Sequence, residues 1–356
     1  MRPGTTRFRS SSACSASSWT ERAAILKKGT EIDGHRGEEK CVSDNIQAQN
    51  APLRLGTRGS ALALAQTRQM AARLREAHPG LVVEEVIIRT RGDEILDSAL
   101  HEIGGKGLFV KEIEDQLLDG RIDAAVHSLK DLPGELPDGL ALGAVPEREE
   151  PWDVLVSRGG ESIRGLPPGS RVGTCSLRRR AQLIRYRSDL EVVDIRGNVD
   201  TRLRKVAEGE VDGVILAAAG LNRLGHGERA VERFAPEIML PAVGQGALGI
   251  EMRADDSRTA ALLAPLEHVP TRQAVTAERS AMAFLEGGCQ VPVAAFAEIR
   301  GGRLRMKGLV VSLDGKRLVM AEEESLPEEG AKMGEKLARR LIEMGGDKIL
   351  EEIRNV

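Results

Sequence analysis

Two ten-residue stretches, LLDGRIDAAV from Leu117 and VAEGEVDGVI from Val206, read alike: a helix end, an acid, a glycine, a charge, an aliphatic, an aspartate, a small residue and a strand. The second follows the first by 89 positions (206 minus 117). Each copy marks a helix stopped by glycine and followed by a buried strand, the alternation from which α/β layers are built. The recurrence predicts two related α/β domains, and a length of 356 residues leaves room for a third unit with its own core.

The pattern around the first copy supports this reading. Ordered sequence is expected to begin near Leu53, with a Gly-Thr-Arg-Gly-Ser turn, a helix over 61–77, a strand over 81–88 and a polar loop over 89–93. Phe109, Ile113 and Leu117 recur every fourth residue, predicting an amphipathic helix over 108–118 stopped at Gly120, then a strand over 122–126. Chain crossings between the two domains are expected at 147–152 and 240–246. After Thr271 the rhythm changes to a helix reaching Leu285, strands over 293–299, 303–312 and 317–322 with a turn at Asp314 and Gly315, and a last helix over 328–344 packed through Met333, Leu337 and Leu341. The expected fold class is therefore α/β: two related periplasmic-binding-protein-like α/β domains plus a smaller α+β C-terminal domain with a three-stranded antiparallel sheet. The expected boundaries are 51–147 with 246–265 for the first domain, 152–240 for the second and 269–356 for the third.

Residues 1–50 differ from the rest, being rich in Ser, Thr and Arg with no acid before Glu21. They read as a disordered extension, consistent equally with an organelle transit peptide and with a poorly defined start. Four scattered cysteines (Cys14, Cys41, Cys175, Cys289) argue against a disulfide framework and against a zinc site or other metal centre, so a reducing, cytoplasmic setting is expected. No apolar run approaches the length of a bilayer span, and no membrane partner is expected. With aromatics at 2% and a net charge of −3, stacking platforms and a dominant phosphate-binding surface are both disfavoured, so no nucleic-acid partner is expected.

Charge is nevertheless concentrated. From Ser176 to Lys205 there are eight arginines and one lysine against four acids, a local balance of +5. A strand RVGTC leads into the helix SLRRRAQLIRYR, which places Arg178 and Arg179 in a first turn where the helix dipole disfavours cations. An anion offsetting that conflict is the expectation, since helix N-termini and arginine forks both bind carboxylate or phosphate, and Arg196 and Arg202 add donors. A solvated basic face fits the same residues. In AAVHSLKDLP a buried strand ends in Ser128, Lys130 and Asp131, at the carboxyl end of a strand where open α/β sheets bind ligands. There Lys130 can meet an anion and Asp131 can stabilise a cation or move a proton, although Asp before Leu-Pro is also a common turn former.

Glycine motifs carry less. The segment GQGALG, 244–249, matches a dinucleotide fingerprint in letters, but a proline-containing loop precedes it and a strand follows, so these glycines read as a hinge. GGKGLF, 104–109, lacks the earlier glycine and the Ser or Thr of a P-loop, while leaving Lys106 able to approach an anion. In LEGGCQVP, two glycines end a helix and Pro292 prevents its resumption, which puts the Cys289 thiol on a loop where it can do chemistry. An isolated cysteine without a CxxC partner also fits a small buried hydrophobe.

Taken in order, LGTRGSALALAQ, TRGD, GGKGLFVKEIE, AAVHSLKDLP, GTCSLRRRAQL, RGNVDTRL, LPAVGQGALGIE and LEGGCQVP resemble the porphobilinogen deaminase (hydroxymethylbilane synthase) family of tetrapyrrole biosynthesis. The resemblance covers Leu53 to about Val293. It implies a transferase that joins four porphobilinogen molecules head to tail, losing ammonia each time and releasing hydroxymethylbilane. It further implies one dipyrromethane cofactor per chain, attached to Cys289 through a thioether, with Asp131 as the catalytic aspartate that stabilises the cation formed as ammonia leaves. By motif matching, the cofactor is expected to touch Ser128, Lys130, Asp131, Thr174, Ser176, Arg178, Arg179, Arg196 and Gly197. Substrate carboxylates would be held by Arg58, Ser60, Lys106, Arg148, Arg196, Arg202 and Arg223. The family pattern favours a monomer, and it has TSS where this chain has Thr174, Cys175 and Ser176. A second class of reading is a two-domain receptor for a small anion without catalysis, because duplicated α/β domains around an arginine-lined cleft describe that equally well.

Overall fold

The computed structural model describes residues 51–90, 110–285 and 291–354, so the 1–50 extension, Lys106 and Cys289 lie outside the described residues. The first α/β unit contains β1 (Leu53–Arg58), α1 (Ala61–Ala77), β2 (Val83–Ile88), α2 (Lys111–Leu118), β3 (Ala124–Ser128) and β4 (Leu140–Ala144). The second contains β5 (Asp153–Ser157), β6 (Arg171–Gly173), α3 (Leu177–Tyr186), β7 (Glu191–Val193), α4 (Val199–Ala207), β8 (Gly213–Ala217), α5 (Ala218–Arg223) and β9 (Glu232–Arg233). β10 (Leu248–Arg253) then returns to the first sheet.

The two sheets share one plan. Their strand orders are β2-β1-β3-β10-β4 and β7-β6-β8-β5-β9. In each, three parallel strands are followed by an antiparallel one, β10 against β3 and β5 against β8. Each antiparallel strand follows a crossing from the other unit, so the crossings exchange equivalent strands between the sheets. The repeated sequence explains the likeness at atomic level. Gly120 and Gly209 stop α2 and α4 at φ 68 and 78, angles that side chains disfavour. The aspartates that follow then make the same pair of hydrogen bonds. Asp123 N donates to Arg54 O (2.9 Å) and its Oδ2 accepts from Arg54 N (2.8 Å); Asp212 N donates to Arg171 O (2.8 Å) and its Oδ2 accepts from Arg171 N (2.8 Å). Each aspartate thereby fixes the start of the neighbouring parallel strand.

Both sheets are covered by helices, so the central strands are apolar on both faces. Leu53 and Leu55 in the first sheet, and Leu155 and Ile215 in the second, are fully buried. Each such side chain contributes about 1.5–3 kcal/mol. α6 (Ser257–Leu263) packs on the first unit, with Leu263 joining the core of Leu53, Leu55 and Ile250. The third unit comprises α7 (Val269–Phe284), the antiparallel meander β11 (Val293–Arg300), β12 (Arg303–Val311) and β13 (Leu318–Ser325), then α8 (Gly330–Leu341) and α9 (Asp347–Arg354). Met333, Leu337 and Leu341 are buried, as the spacing predicts. The last helix differs from the expected 328–344 span: a wide turn at Ile342–Gly346, with Gly345 at φ 99, divides it from α9. Among the described residues no helix is long and apolar enough to cross a membrane.

One buried charge cluster sits on the α2 side of the first sheet. His127 Nε2 lies 3.0 Å from Glu251 Oε2, and Glu251 is wholly buried. Burial, then the neighbouring Glu251, push the Glu114 carboxyl up to about 7, with His127 opposing. A carboxyl raised in the folded state stays protonated where the unfolded chain has ionised, so its stabilisation is full below the ordinary value of 4.5 and is lost as pH rises through about 7. Glu114→Gln should therefore show a smaller fall in melting temperature between pH 5 and 8 than the parent chain. Equal falls in a paired thermal-melt series would remove Glu114 from this role.

Candidate active site

The carboxyl ends of the strands in both units converge on one cleft. From the first unit it is lined by Leu62 and Gln66 on α1 and by Ser128 and Lys130 at the end of β3; from the second by Arg179 on α3, Val199 and Arg202 on α4, and the β8–α5 segment including Arg223. Gly246 and Ala247 of the second crossing complete it. This is the position that open α/β sheets reserve for ligands.

Each cationic side chain is held by a local device. Ser128 Oγ accepts from Gln66 Nε2 at 2.9 Å, and Gln66 is buried on the core side of α1. Lys130 and Asp131 follow in a single 3-10 turn, Leu129–Asp131, which leaves Lys130 half-buried and Asp131 exposed beside it. Burial pushes the Lys130 ammonium down to about 8; Asp131 and Asp153 oppose the fall while Arg179 and Arg178 reinforce it. Arg202 Nε donates to Gly197 O at 2.9 Å, so the Gly197 carbonyl positions that guanidinium. Arg223 Nη2 donates to Gly246 O at 2.8 Å, while its buried Nε has no hydrogen-bond partner among the described residues. Burial lowers the pKa of Arg179, Arg202 and Arg223 alike, opposed by Asp153, Cys175 and Glu149 respectively. Four cations half or wholly removed from water around one cleft suit an anionic ligand.

The conflict at the start of α3 is resolved from inside the protein. Asp153, the first residue of β5 and fully buried, accepts from Arg178 Nη1 (2.7 Å) through Oδ2 and from Arg179 Nε (2.9 Å) through Oδ1. Arg178 Nη1 also donates to Leu240 O (2.7 Å) and Arg179 Nη1 to Ile215 O (2.9 Å). Arg178 is thus enclosed, and of the pair it is Arg179 that reaches the cleft. Burial alone would raise the Asp153 carboxyl, but Arg178, Arg179 and the hydrogen bonds from Arg178 and Gln245 hold it well below the usual carboxylate range. The sequence signal was available: an aspartate opening a strand whose following residues are all buried.

The chain matches two family descriptions in succession, "Porphobilinogen deaminase, dipyromethane cofactor binding domain" over residues 53–261 and "Porphobilinogen deaminase, C-terminal domain" over 272–343. This chain belongs to the porphobilinogen deaminase family. Curated porphobilinogen deaminases are similar over nearly their whole length: that of Desulforudis audaxviator is 54% identical over 84% of this chain and 97% of its own, and that of Syntrophobacter fumaroxidans 50% identical over 85% and 97%. The Carboxydothermus hydrogenoformans protein is 50% identical over 84% and 96%.

Of the residues that the porphobilinogen deaminase motifs single out, the structure brings Ser128, Lys130, Arg179, Arg202 and Arg223 to one cleft. Ser60 and Ser176 cap the first turns of α1 and α3, accepting from Ala63 N and Arg179 N. Thr174 is buried, with Oγ1 accepting from Ser176 N at 3.2 Å. Arg58, the last residue of β1, and Arg196, beyond the end of β7, are half-buried. Cys175 is exposed, with Sγ donating to Ile195 O at 2.9 Å. Gln66 and Asp153 were not anticipated. Gln66 is a polar residue on the buried stripe of Ala63, Met70 and Leu74, which is the pattern that could have revealed it.

Arg148, expected to hold a substrate carboxylate, closes its fork on Glu278 of α7, with Nη1 to Oε1 at 2.6 Å and Nη2 to Oε2 at 3.2 Å, and donates Nε to Gln245 O at 2.8 Å. Its guanidinium lies over the Phe296 ring, 4.9 Å from the centroid. Glu278 is fully buried and also accepts from Gly244 N (2.7 Å) and Ala297 N (2.8 Å). Both crossings and the third unit therefore meet at one carboxylate. Glu278→Ala should cost about 3–5 kcal/mol, because it leaves a buried arginine without its counter-ion. Denaturant unfolding measures this, and a loss below about 1 kcal/mol would show that the junction is held by packing instead.

Proposed function

We propose that the Ser128–Asp131 turn of the first unit and Arg179, Arg202 and Arg223 of the second form the working site of this porphobilinogen-polymerising transferase of tetrapyrrole biosynthesis. The observation that carries it is their meeting across one cleft, with an acid beside a row of cations. Each porphobilinogen brings an acetate and a propionate, and the cationic wall suits ligands that accumulate carboxylates. The unpartnered Arg223 Nε and the row of desolvated cations likewise fit the dipyrromethane cofactor of the family. When bound, that group supplies the pyrrole carbon to which the first substrate is joined.

The residues of the chain divide the remaining work. Arg179, Arg202 and Arg223 bind carboxylates and fix the orientation of the rings. Ser128, held by Gln66, offers a hydroxyl at the cleft floor. Lys130, with its ammonium pulled down to about 8, is a carboxylate partner at neutral pH that loses its charge in alkali. Asp131, at the end of the same turn, is placed to stabilise the positive charge that develops on the substrate as ammonia leaves, an effect that grows as ligand displaces water. Cys289 is the attachment point by motif. The anion-receptor reading has no use for the third unit or for a thiol in the LEGGCQVP motif.

Intact mass tests the attachment. The purified chain should carry a dipyrrole adduct that is missing from Cys289→Ala, and an unmodified mass in active protein would overturn the assignment. Asp131→Ala should lower kcat by about 10²–10³-fold. Because Asp131 is exposed, its melting temperature should stay close to that of the parent; near-normal turnover would dismiss it as the stabilising acid.

A further inference from the structure

We propose that Asp153 is a positioning residue of the cleft: its carboxylate locks Arg178 inside the second unit and aims Arg179 outward, leaving the pair one surplus positive charge for a ligand carboxylate. The inference rests on the cofactor-bearing function above and adds to it a residue that no motif marked.

Three observations carry it. First, the placement of Asp153 is fixed by backbone and not by its side chain alone. It pairs with Ala217 in the β5–β8 register, its carbonyl accepts from Phe234 N at 3.0 Å, and Ala217 itself lines the cleft. Its carboxylate is therefore held one strand away from the ligand wall. Second, its bonds are shared unequally between the two arginines. Oδ2 meets Arg178 Nη1, whose other contact is the Leu240 carbonyl in the interior, whereas Oδ1 meets Nε and Nη2 of Arg179, both on the same edge of that guanidinium. Binding along that edge fixes the plane of the Arg179 fork, and Ile215 O takes one hydrogen of Nη1. What Arg179 can still present to the cleft is thereby set in direction.

Third, the cluster is an expensive way to fill a core. Two guanidiniums and a carboxylate, all buried, sit at a helix start where the dipole opposes the cations, and apolar residues of the same volume would be at least as stable. One carboxylate against two guanidiniums leaves the cluster at +1, beside Lys130, Arg202 and Arg223. A fold needs no such surplus, but a cleft that must capture a carboxylate-bearing primer does. Gln245 adds a link to the crossings: its Nε2 donates to Asp153 Oδ1 at 3.0 Å and to Pro151 O at 2.7 Å, so one amide of the second crossing holds both the carboxylate and the first crossing.

Asp153→Asn tests this, since it keeps the shape and removes the charge. The readout is the fraction of purified chain carrying the adduct on Cys289, measured by intact mass without reference to turnover, together with a thermal melt and the KM and kcat of the loaded fraction. A purely structural role lowers the melting temperature and leaves adduct and KM alone. The positioning role predicts a folded variant whose adduct occupancy falls by about tenfold or more, and folded Asp153→Asn with parental occupancy and KM overturns it. If Asp153→Asn does not fold, Gln245→Met decides: all charges remain, and Asp153 Oδ1 loses the Gln245 amide while keeping Arg179. The expectation is then a KM for porphobilinogen raised by about threefold or more with kcat within about twofold, and an unchanged KM overturns the proposal. An adduct missing from the parent chain would count against the cofactor assignment instead.

Discussion

A charge taken wholly out of water must be met by donors on every side, and the three units of this chain are joined by that requirement at Glu278. Its two oxygens receive the Arg148 fork from the first crossing, the Gly244 amide from the second and the Ala297 amide from the third unit's sheet. Apolar packing alone would let these parts slide. The acid fixes their register because each donor has one place to go. Gly246, close by, shows how little slack remains: a β-carbon there would stand 2.4 Å from Glu149 O, and its φ of 86 is one that side chains avoid. The hinge expected of GQGALG is thus a tightly bonded crossing.

The same rule, applied with an unequal count of charges, produces the cleft. At Glu278 one acid meets one arginine and amides, and the account closes. At Asp153 one acid meets two arginines, and Lys130, Arg202 and Arg223 nearby are partly dehydrated as well. The first arrangement is a joint, while the second leaves positive charge facing the cleft. Asp131, exposed in the same turn as Lys130, sets an acid beside these cations.

The repeat in the sequence foretold the duplicated sheets because its glycine and aspartate have local jobs, stopping a helix and fixing a strand start, that leave a local signature. The arginine-rich stretch and the SLKD turn were legible for the same reason. What escaped were residues whose partners are remote in sequence: Asp153 with Arg178 and Arg179, Arg148 with Glu278 across 130 positions, and Gln66 with Ser128 across 62. Nothing in the letters distinguishes an arginine that faces a ligand from one that faces a buried acid. The division of the last helix at Gly345 was visible as a Gly-Gly pair, but apolar residues continue the helical spacing across it.

The exchange of strands between the sheets also orders events in time. All five strands of the second sheet lie between residues 153 and 233, whereas the first sheet needs β10, at 248–253, to seat between β3 and β4. In a chain emerging amino end first, the second unit has its full set of strands before the first does, although the first began earlier. The amino-terminal half must wait, with β3 lacking a neighbour and β4 lacking a sheet, until the chain has passed through the other domain and come back.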